Sequence, residues 1–305
     1  MNLFTIRTLK KASTYVLYGI IELQRWTMKI HVLHCGYIRV ADCVPSGSSN
    51  SARDLGRALT MPDSRRITLP VSVYLIEHKS GLYLVDTGWS RDISPEGVYS
   101  RKAAESVLPS YLVQLYHPYV PEGMAVHEQL ESMGIRQEDI TAVLITHFDA
   151  DHVAGLRHLS RVSRRIMPEE ERYWAVRTKY RVRQPEHLWD YPGTEYPYYR
   201  GFLLGPDDRA VDITGDESLM MIKLQGHTDG QAGLLIRNGS RYILLAADAA
   251  YSPHNWETMT PPGIGADRGS QIRTLKWLSK IAADPSCVKV LCSHDPDIKP
   301  GVIEL

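Results

Sequence analysis

The residues with the strongest capacity for chemistry fall in one short run, Thr146-His147-Phe148-Asp149-Ala150-Asp151-His152-Val153. Four potential metal ligands, His147, Asp149, Asp151 and His152, lie within six residues. An apolar, strand-like stretch (ITAVLITH, 140–147) leads into the run, and a short helix from about His152 to Leu159 leads away from it. His147 and Asp149, two apart on extended chain, can point to the same side. Asp151 and His152 can face the same cavity from the turn into the helix. Such density at a strand end suits the holding of two cations close together. Three further candidates end later strand-like segments: His227 in GHTDG, Asp248 in AADAAY and His294 in CSHD. Taken singly, a histidine after a strand is an ordinary capped or surface residue. Seven histidines and aspartates at successive strand ends are not. Imidazole mixed with carboxylate suits zinc, iron or manganese rather than calcium.

The elements that must position these residues read as short strands bounded by Gly, Pro or Ser: 29–40, 71–78, 82–88, 140–147, 219–225, 232–238, 242–248 and, last, 288–294. Helical spacing is expected over 101–116 and 124–133, the second stopped by Gly134, and again where Ile272, Leu275, Leu278 and Ile281 share one face. The polar stretch 44–68 reads as a long loop, and 168–210 follows no strand–helix rhythm. Strands in two groups, each followed by helices, predict an α/β chain of two face-packed sheets with helices outside.

Composition narrows the partners. The chain has 305 residues with 35 basic and 35 acidic side chains. That balance argues against nucleic acid or an anionic membrane surface as the main partner. No segment approaches the roughly 18 apolar residues of a membrane span. Cys35, Cys43, Cys287 and Cys292 form no C-x-x-C pair and read as reduced thiols of a cytoplasmic protein. Residues 1–27 read as a helical extension ahead of a single domain at 28–305, and a second copy of the chain is a candidate partner. Tyrosine and tryptophan (17 and 6) far outnumber phenylalanine (3). Many of these polar-tipped rings crowd 173–202, which reads as an insertion or lid with an apolar wall and hydroxyl tips, or as a subunit contact.

The motif His147-x-Asp149-x-Asp151-His152, followed in order by His227, Asp248 and His294 and preceded by the VDTG of Asp86, resembles the metallo-β-lactamase superfamily. The resemblance covers about residues 29–300. It implies an αββα sandwich with a dinuclear site at the edge between the sheets, here with the N-terminal helical extension and the aromatic-rich insertion added. Carried over residue by residue, one ion falls to His147, Asp149, His227 and a bridging Asp248. The other falls to Asp151, His152, His294 and the same Asp248. One position departs: the family signature is His-x-His-x-Asp-His, and Asp149 stands where its second histidine would be. The extra carboxylate adds one negative charge. It predicts a harder site, with two divalent ions, zinc first and iron or manganese as alternatives.

A metal-activated water attacks a carbonyl or phosphoryl centre. The run Asp248-Ala249-Ala250-Tyr251 and the segment LPVSVYLIEH resemble the quorum-quenching N-acyl-homoserine lactonase branch. That branch implies a small lactone substrate, with Tyr251 donating to the developing oxyanion and Asp151 delivering a proton to the leaving alkoxide. The competing readings are another hydrolase of the same fold, a thioesterase or a phosphodiesterase, and a catalytically idle metal-binding module. Neutral charge disfavours nucleic-acid phosphodiesters. A buried set of ionisable residues kept without use disfavours the idle module. His158, His187 and His254 are expected to be non-ligands.

Overall fold

The computed structural model describes residues 27–177 and 181–305. The expected helix over 1–27 therefore lies, but for Thr27, outside the described residues. Among them the strands form two sheets. The first is built from β1 (Lys29–Val40), β2 (Ile67–His78), β3 (Gly81–Val85), β4 (Ile140–Leu144), β5 (Arg165–Ile166) and β6 (Thr194–Glu195), side by side in chain order. The second runs in reverse chain order across β7 (Arg200–Gly201), β8 (Arg209–Asp212), β9 (Leu219–Lys223), β10 (Ala232–Asn238), β11 (Arg241–Ala247) and β12 (Cys287–Cys292). A last strand, β13 (Gly301–Glu304), pairs antiparallel with the free edge of β1.

Alternation along the strands makes three apolar layers, because successive side chains point to opposite faces of a sheet. Ile30, Val32, Tyr74 and Ile76 of the first sheet meet Leu219, Met221, Ile243 and Leu245 of the second in the central layer. Met220, Ile222 and Leu244 face the other way, against Leu275 and Leu278. Those two leucines belong to a 15-residue helix, Arg268–Ala282, whose Asp267 cap accepts from the Ser270 N–H. Leu33, Leu75 and Leu84 bury the outer face of the first sheet beneath Leu112, Val113 and Leu130. This is the αββα order of layers expected from the sequence.

Several local expectations change. The polar stretch 44–68 is not all loop: Ser51–Thr60 is helical, capped by Asn50, whose carboxamide oxygen accepts from the Arg53 N–H at 3.0 Å. That helix hides little apolar surface, burying only Asp54 and Ala58. The helix expected over 101–116 breaks into Arg101–Glu105 and Ser110–Tyr116. Pro109 at the junction disfavours helical geometry in the residue before it. β13 lies beyond the strand expected to be last.

The segment 168–210 is woven into the fold rather than appended. β6 extends one sheet and β7 the other, with a helix at Glu169–Ala175 between β5 and β6. Its rings divide between roles. Trp189 is buried and stacks on Phe148 with centroids 4.5 Å apart. The buried Tyr199 hydroxyl donates to the Gly230 carbonyl at 3.1 Å. Tyr173 and Tyr198 are exposed. Gly230 also lets this segment approach closely, since a Cβ there would stand 2.1 Å from the Glu171 nitrogen.

Candidate metal centre

The sheets bring their strand ends together along one edge. β4 ends at Leu144, and the chain turns through His147 and Asp149 into the short helix Ala150–Val153 that carries Asp151 and His152. From the second sheet His227 follows β9, Asp248 directly follows β11 and His294 follows β12. All seven side chains are buried. Ala247, the residue before Asp248, has φ of +49°, a left-handed conformation that a non-glycine residue seldom adopts.

Donor atoms within 4.8 Å of one another fall into three overlapping groups: His147, Asp149 and His227; His147, His152 and Asp248; and Asp151, His152 and His294. Asp248 lies between them. Its Oδ1 is 3.3 Å from His152 Nε2, while its Oδ2 is 3.2 Å from His294 Nε2 and 3.6 Å from His227 Nε2. Asp151 Oδ2 is 3.3 Å from His294 Nε2. These separations match the roughly 3.3–3.6 Å edges of a tetrahedron with 2.0–2.2 Å metal–ligand bonds.

Imidazole orientation gives a second test of fit. Each ring engages its Nδ1 away from the cavity: His147 with Thr146 Oγ1 at 3.0 Å, His152 with Asp86 Oδ2 at 2.8 Å, His227 with the Ile264 carbonyl at 3.0 Å and His294 with the Pro70 carbonyl at 2.8 Å. The Thr146 hydroxyl donates to Asp86 Oδ2, so it accepts from His147. In the tautomer with its proton on Nδ1 alone, each ring would present an Nε2 lone pair to the centre, as a metal ligand needs. Nε2 of His147, His152 and His294, and Oδ1 of Asp248, are buried without a hydrogen-bond partner among the described residues. Buried polar atoms are rarely left so, and four converging on one cavity fit a bound cation.

Charge follows geometry. Burial alone would raise Asp149, but Arg183 beside it, with help from His147 and His227, holds it well below the usual carboxylate range. Burial opposes charge on Asp248 too, and His294 and His152 override it and hold it low. His152 is pushed well above an ordinary imidazole by Asp248 and Asp86, against its burial. Burial, and then Asp248, raise Tyr251 well above the usual phenol range, so its hydroxyl keeps its proton at neutral pH. The Tyr251 ring lies 4.8 Å from that of His294.

The structure thus brings together His147, Asp149, Asp151, His152, His227, Asp248, His294 and Tyr251. It leaves His158, His187 and His254 elsewhere: His158 stacks on His127, His187 faces the Val107 carbonyl, and His254 is exposed. Sequence reasoning missed three neighbours. Arg183 forks onto Asp149, with Nε 2.8 and 3.0 Å from the two carboxylate oxygens and Nη2 2.5 Å from Oδ2. The charge added by Asp149 is therefore offset inside the site. Glu171, fully buried, accepts from the Phe148 N–H, the Gln184 carboxamide and the Thr228 hydroxyl. It ties the loops of Phe148 and Thr228 to the segment 168–210, and burial pushes its carboxyl up to about 7. Tyr116 is buried near Asp149, Asp151 and Asp248. No motif marked these residues: Arg183 stands among exposed Arg181 and Val182, and Glu171 closes a run of three glutamates. Among the described residues of 173–202, Trp189 and Tyr199 are buried while Tyr173 and Tyr198 are exposed. The cleft of about 630 Å³ beside Arg183 is lined by Pro109 and by mostly polar residues of 181–190.

Comparison with known proteins agrees with this architecture. The chain is 26% identical to N-acyl homoserine lactonase AttM of Rhizobium radiobacter over 237 residues, 75% of this chain and 83% of that one. It is 28% identical to N-acyl homoserine lactonase AiiB of Agrobacterium fabrum over 287 residues, 88% of this chain and 93% of that one. A solved N-acyl homoserine lactone hydrolase with the product N-hexanoyl-L-homoserine at its catalytic metal centre superposes with a TM-score of 0.67 at 18% identity. That match covers 88% of this chain and 94% of the other, and shows the shared fold. The family model of the metallo-beta-lactamase superfamily matches residues 66–294, from the start of β2 to the last of the seven clustered side chains. Strand ends, converging imidazoles and sequence match coincide over most of the chain, which belongs to the metallo-beta-lactamase superfamily.

Proposed function

We propose that this protein hydrolyses the ester ring of a lactone carrying an N-acyl amide, with residues 28–305 acting as one catalytic unit and 168–210 as its insertion. The observation that carries this reading is the set of three overlapping donor groups around Asp248, with Tyr251 against His294, in a chain whose relatives at 26–28% identity are N-acyl homoserine lactonases. The proposed ligands are His147, Asp149 and His227 on one side and Asp151, His152 and His294 on the other, with Asp248 between. Zinc suits this donor set, and the third carboxylate also suits iron or manganese. Divalent ions held there supply a water ionised near neutral pH and a Lewis acid for the ester carbonyl.

The chain supplies the rest. Tyr251 donates its proton-bearing hydroxyl to the carbonyl oxygen as negative charge develops on it. Asp151, 3.3 Å from His294, takes the proton given up by the attacking water and delivers it to the ring oxygen as the C–O bond breaks. The product is an open hydroxy acid. Four free thiols, three of them buried, support a reducing compartment, and the reading places the enzyme in the cytoplasm. No helix among the described residues is long and apolar enough to cross a membrane.

A pH-stat assay across N-acyl-homoserine lactones, simple γ- and δ-lactones, nitrophenyl esters and phosphodiesters tests the reading. Acid release is expected with the acylated lactones. Phosphodiester cleavage with no lactone turned over would overturn it. In the same assay Tyr251→Phe is expected to lower turnover roughly tenfold or more, as loss of one oxyanion donor does, with metal content unchanged. Equal turnover would remove Tyr251 from the mechanism.

A further inference from the structure

We propose that Arg183 is the resident cation of the Asp149 site, so that two metal ions enter unequally: first at Asp151, His152, His294 and Asp248, then, against the guanidinium, at His147, Asp149 and His227. The proposal rests on the ligand assignment given above and goes beyond it in making one arginine set the order of loading.

The guanidinium is seated among the donor atoms themselves. Nη2 lies 2.5 Å from Asp149 Oδ2 and 2.5 Å from His227 Nε2, two atoms 3.1 Å apart. Because Nδ1 of His227 is engaged with the Ile264 carbonyl, Nη2 donates into the Nε2 lone pair. A metal ion and an N–H cannot share that lone pair. Nη1 adds a bond to the His227 carbonyl at 3.0 Å, and Nε spans both oxygens of Asp149. The other side of the centre differs: His152 Nε2 and His294 Nε2 stand 3.3 and 3.2 Å from the Asp248 oxygens with no guanidinium among the described residues seated between them, so an ion arriving there displaces protons rather than an arginine.

The side chain is not a passing surface arginine. Only 17% of it is exposed. Its neighbour Gln184 is clamped, donating to Glu171 at 2.5 Å and accepting from the Trp189 indole at 3.2 Å. The fork also explains the departure from the family signature. A carboxylate offers two coplanar oxygens to a guanidinium, whereas an imidazole at position 149 offers one nitrogen and no charge. Asp149 and Arg183 therefore belong together as a pair.

The test is a zinc titration of the full chain, stripped by chelator, against a competing chromophoric indicator. The wild type is expected to bind two equivalents with clearly separated affinities. In Arg183→Met the weaker equivalent is expected to tighten roughly tenfold or more, because a positive charge beside the ion is gone, while the tighter one holds. Should that variant fail to fold, Asp149→His combined with Arg183→Met replaces the charged pair together, and its two equivalents are expected to bind with similar affinity. Two equal affinities in the wild type, or an unchanged gap in Arg183→Met, would overturn the role of Arg183 and leave the ligand assignment standing. Absence of zinc binding would overturn both.

Discussion

Asp248→Asn is expected to lower lactone turnover about a thousandfold, some 4 kcal/mol of transition-state stabilisation, and to cost the protein metal as well. Asparagine keeps the shape and removes the charge. No other clustered side chain stands within 3.6 Å of three of the four inward-facing imidazoles. The residue before Asp248, Ala247, holds a left-handed backbone with φ of +49°. Elemental analysis of protein purified without chelator, beside the pH-stat rate, checks both halves of the prediction. Full metal content with turnover within tenfold of wild type would refute the bridging assignment.

Asp86→Asn should act one bond further out. Asp86 accepts from the Thr146 N–H at 2.8 Å, from the Thr146 hydroxyl at 2.9 Å and from His152 Nδ1 at 2.8 Å. With φ of +60° it occupies a conformation that asparagine also tolerates, so the backbone is spared. What changes is that a carboxamide N–H can replace an oxygen facing His152, favouring the tautomer whose Nε2 can no longer ligate. Loss of such an outer partner typically costs ten- to a hundredfold in metal affinity, about 1.4–2.7 kcal/mol. The loss is expected in the tighter zinc equivalent of the indicator titration, the one that includes His152. An unchanged affinity for that equivalent would show that Thr146 and the surrounding packing orient the ring without Asp86.

The clustered histidines and aspartates could be read from the chain because each strand carries its apolar alternation up to the sheet edge and then delivers one or two polar residues in order. The sandwich was legible for the same reason: β9, β10 and β11 alternate cleanly between the central layer and the outer helices. The helix at 51–60 was not, since it buries an alanine and an aspartate instead of an apolar stripe. β13 is four residues at an edge, too short to show a period. Arg183 lay deepest. Its partner is 34 residues away in sequence, and an arginine in a polar stretch looks the same whether it faces water or a carboxylate. The tyrosines and tryptophans of 173–202 were harder to place from the sequence. Trp189 and Tyr199 serve the packing of Phe148 and the Gly230 turn, and among the described residues of this segment Arg183 reaches the clustered side chains.

The seven clustered side chains are divided between the two sheets, four after β4 and three after β9, β11 and β12. His294 is further tied across the interface by the Pro70 carbonyl of β2. An ion held at Asp248 and His152 would therefore also be a cross-link between layers already joined by side-chain packing and by hydrogen bonds such as Ser72 N–H to the Ser293 carbonyl and Ala232 N–H to the Thr146 carbonyl. Catalytic competence and the cohesion of the sandwich then draw on the same binding equilibrium. At free metal a hundredfold above its dissociation constant, that equilibrium adds about 2.7 kcal/mol to the folded state for each ion.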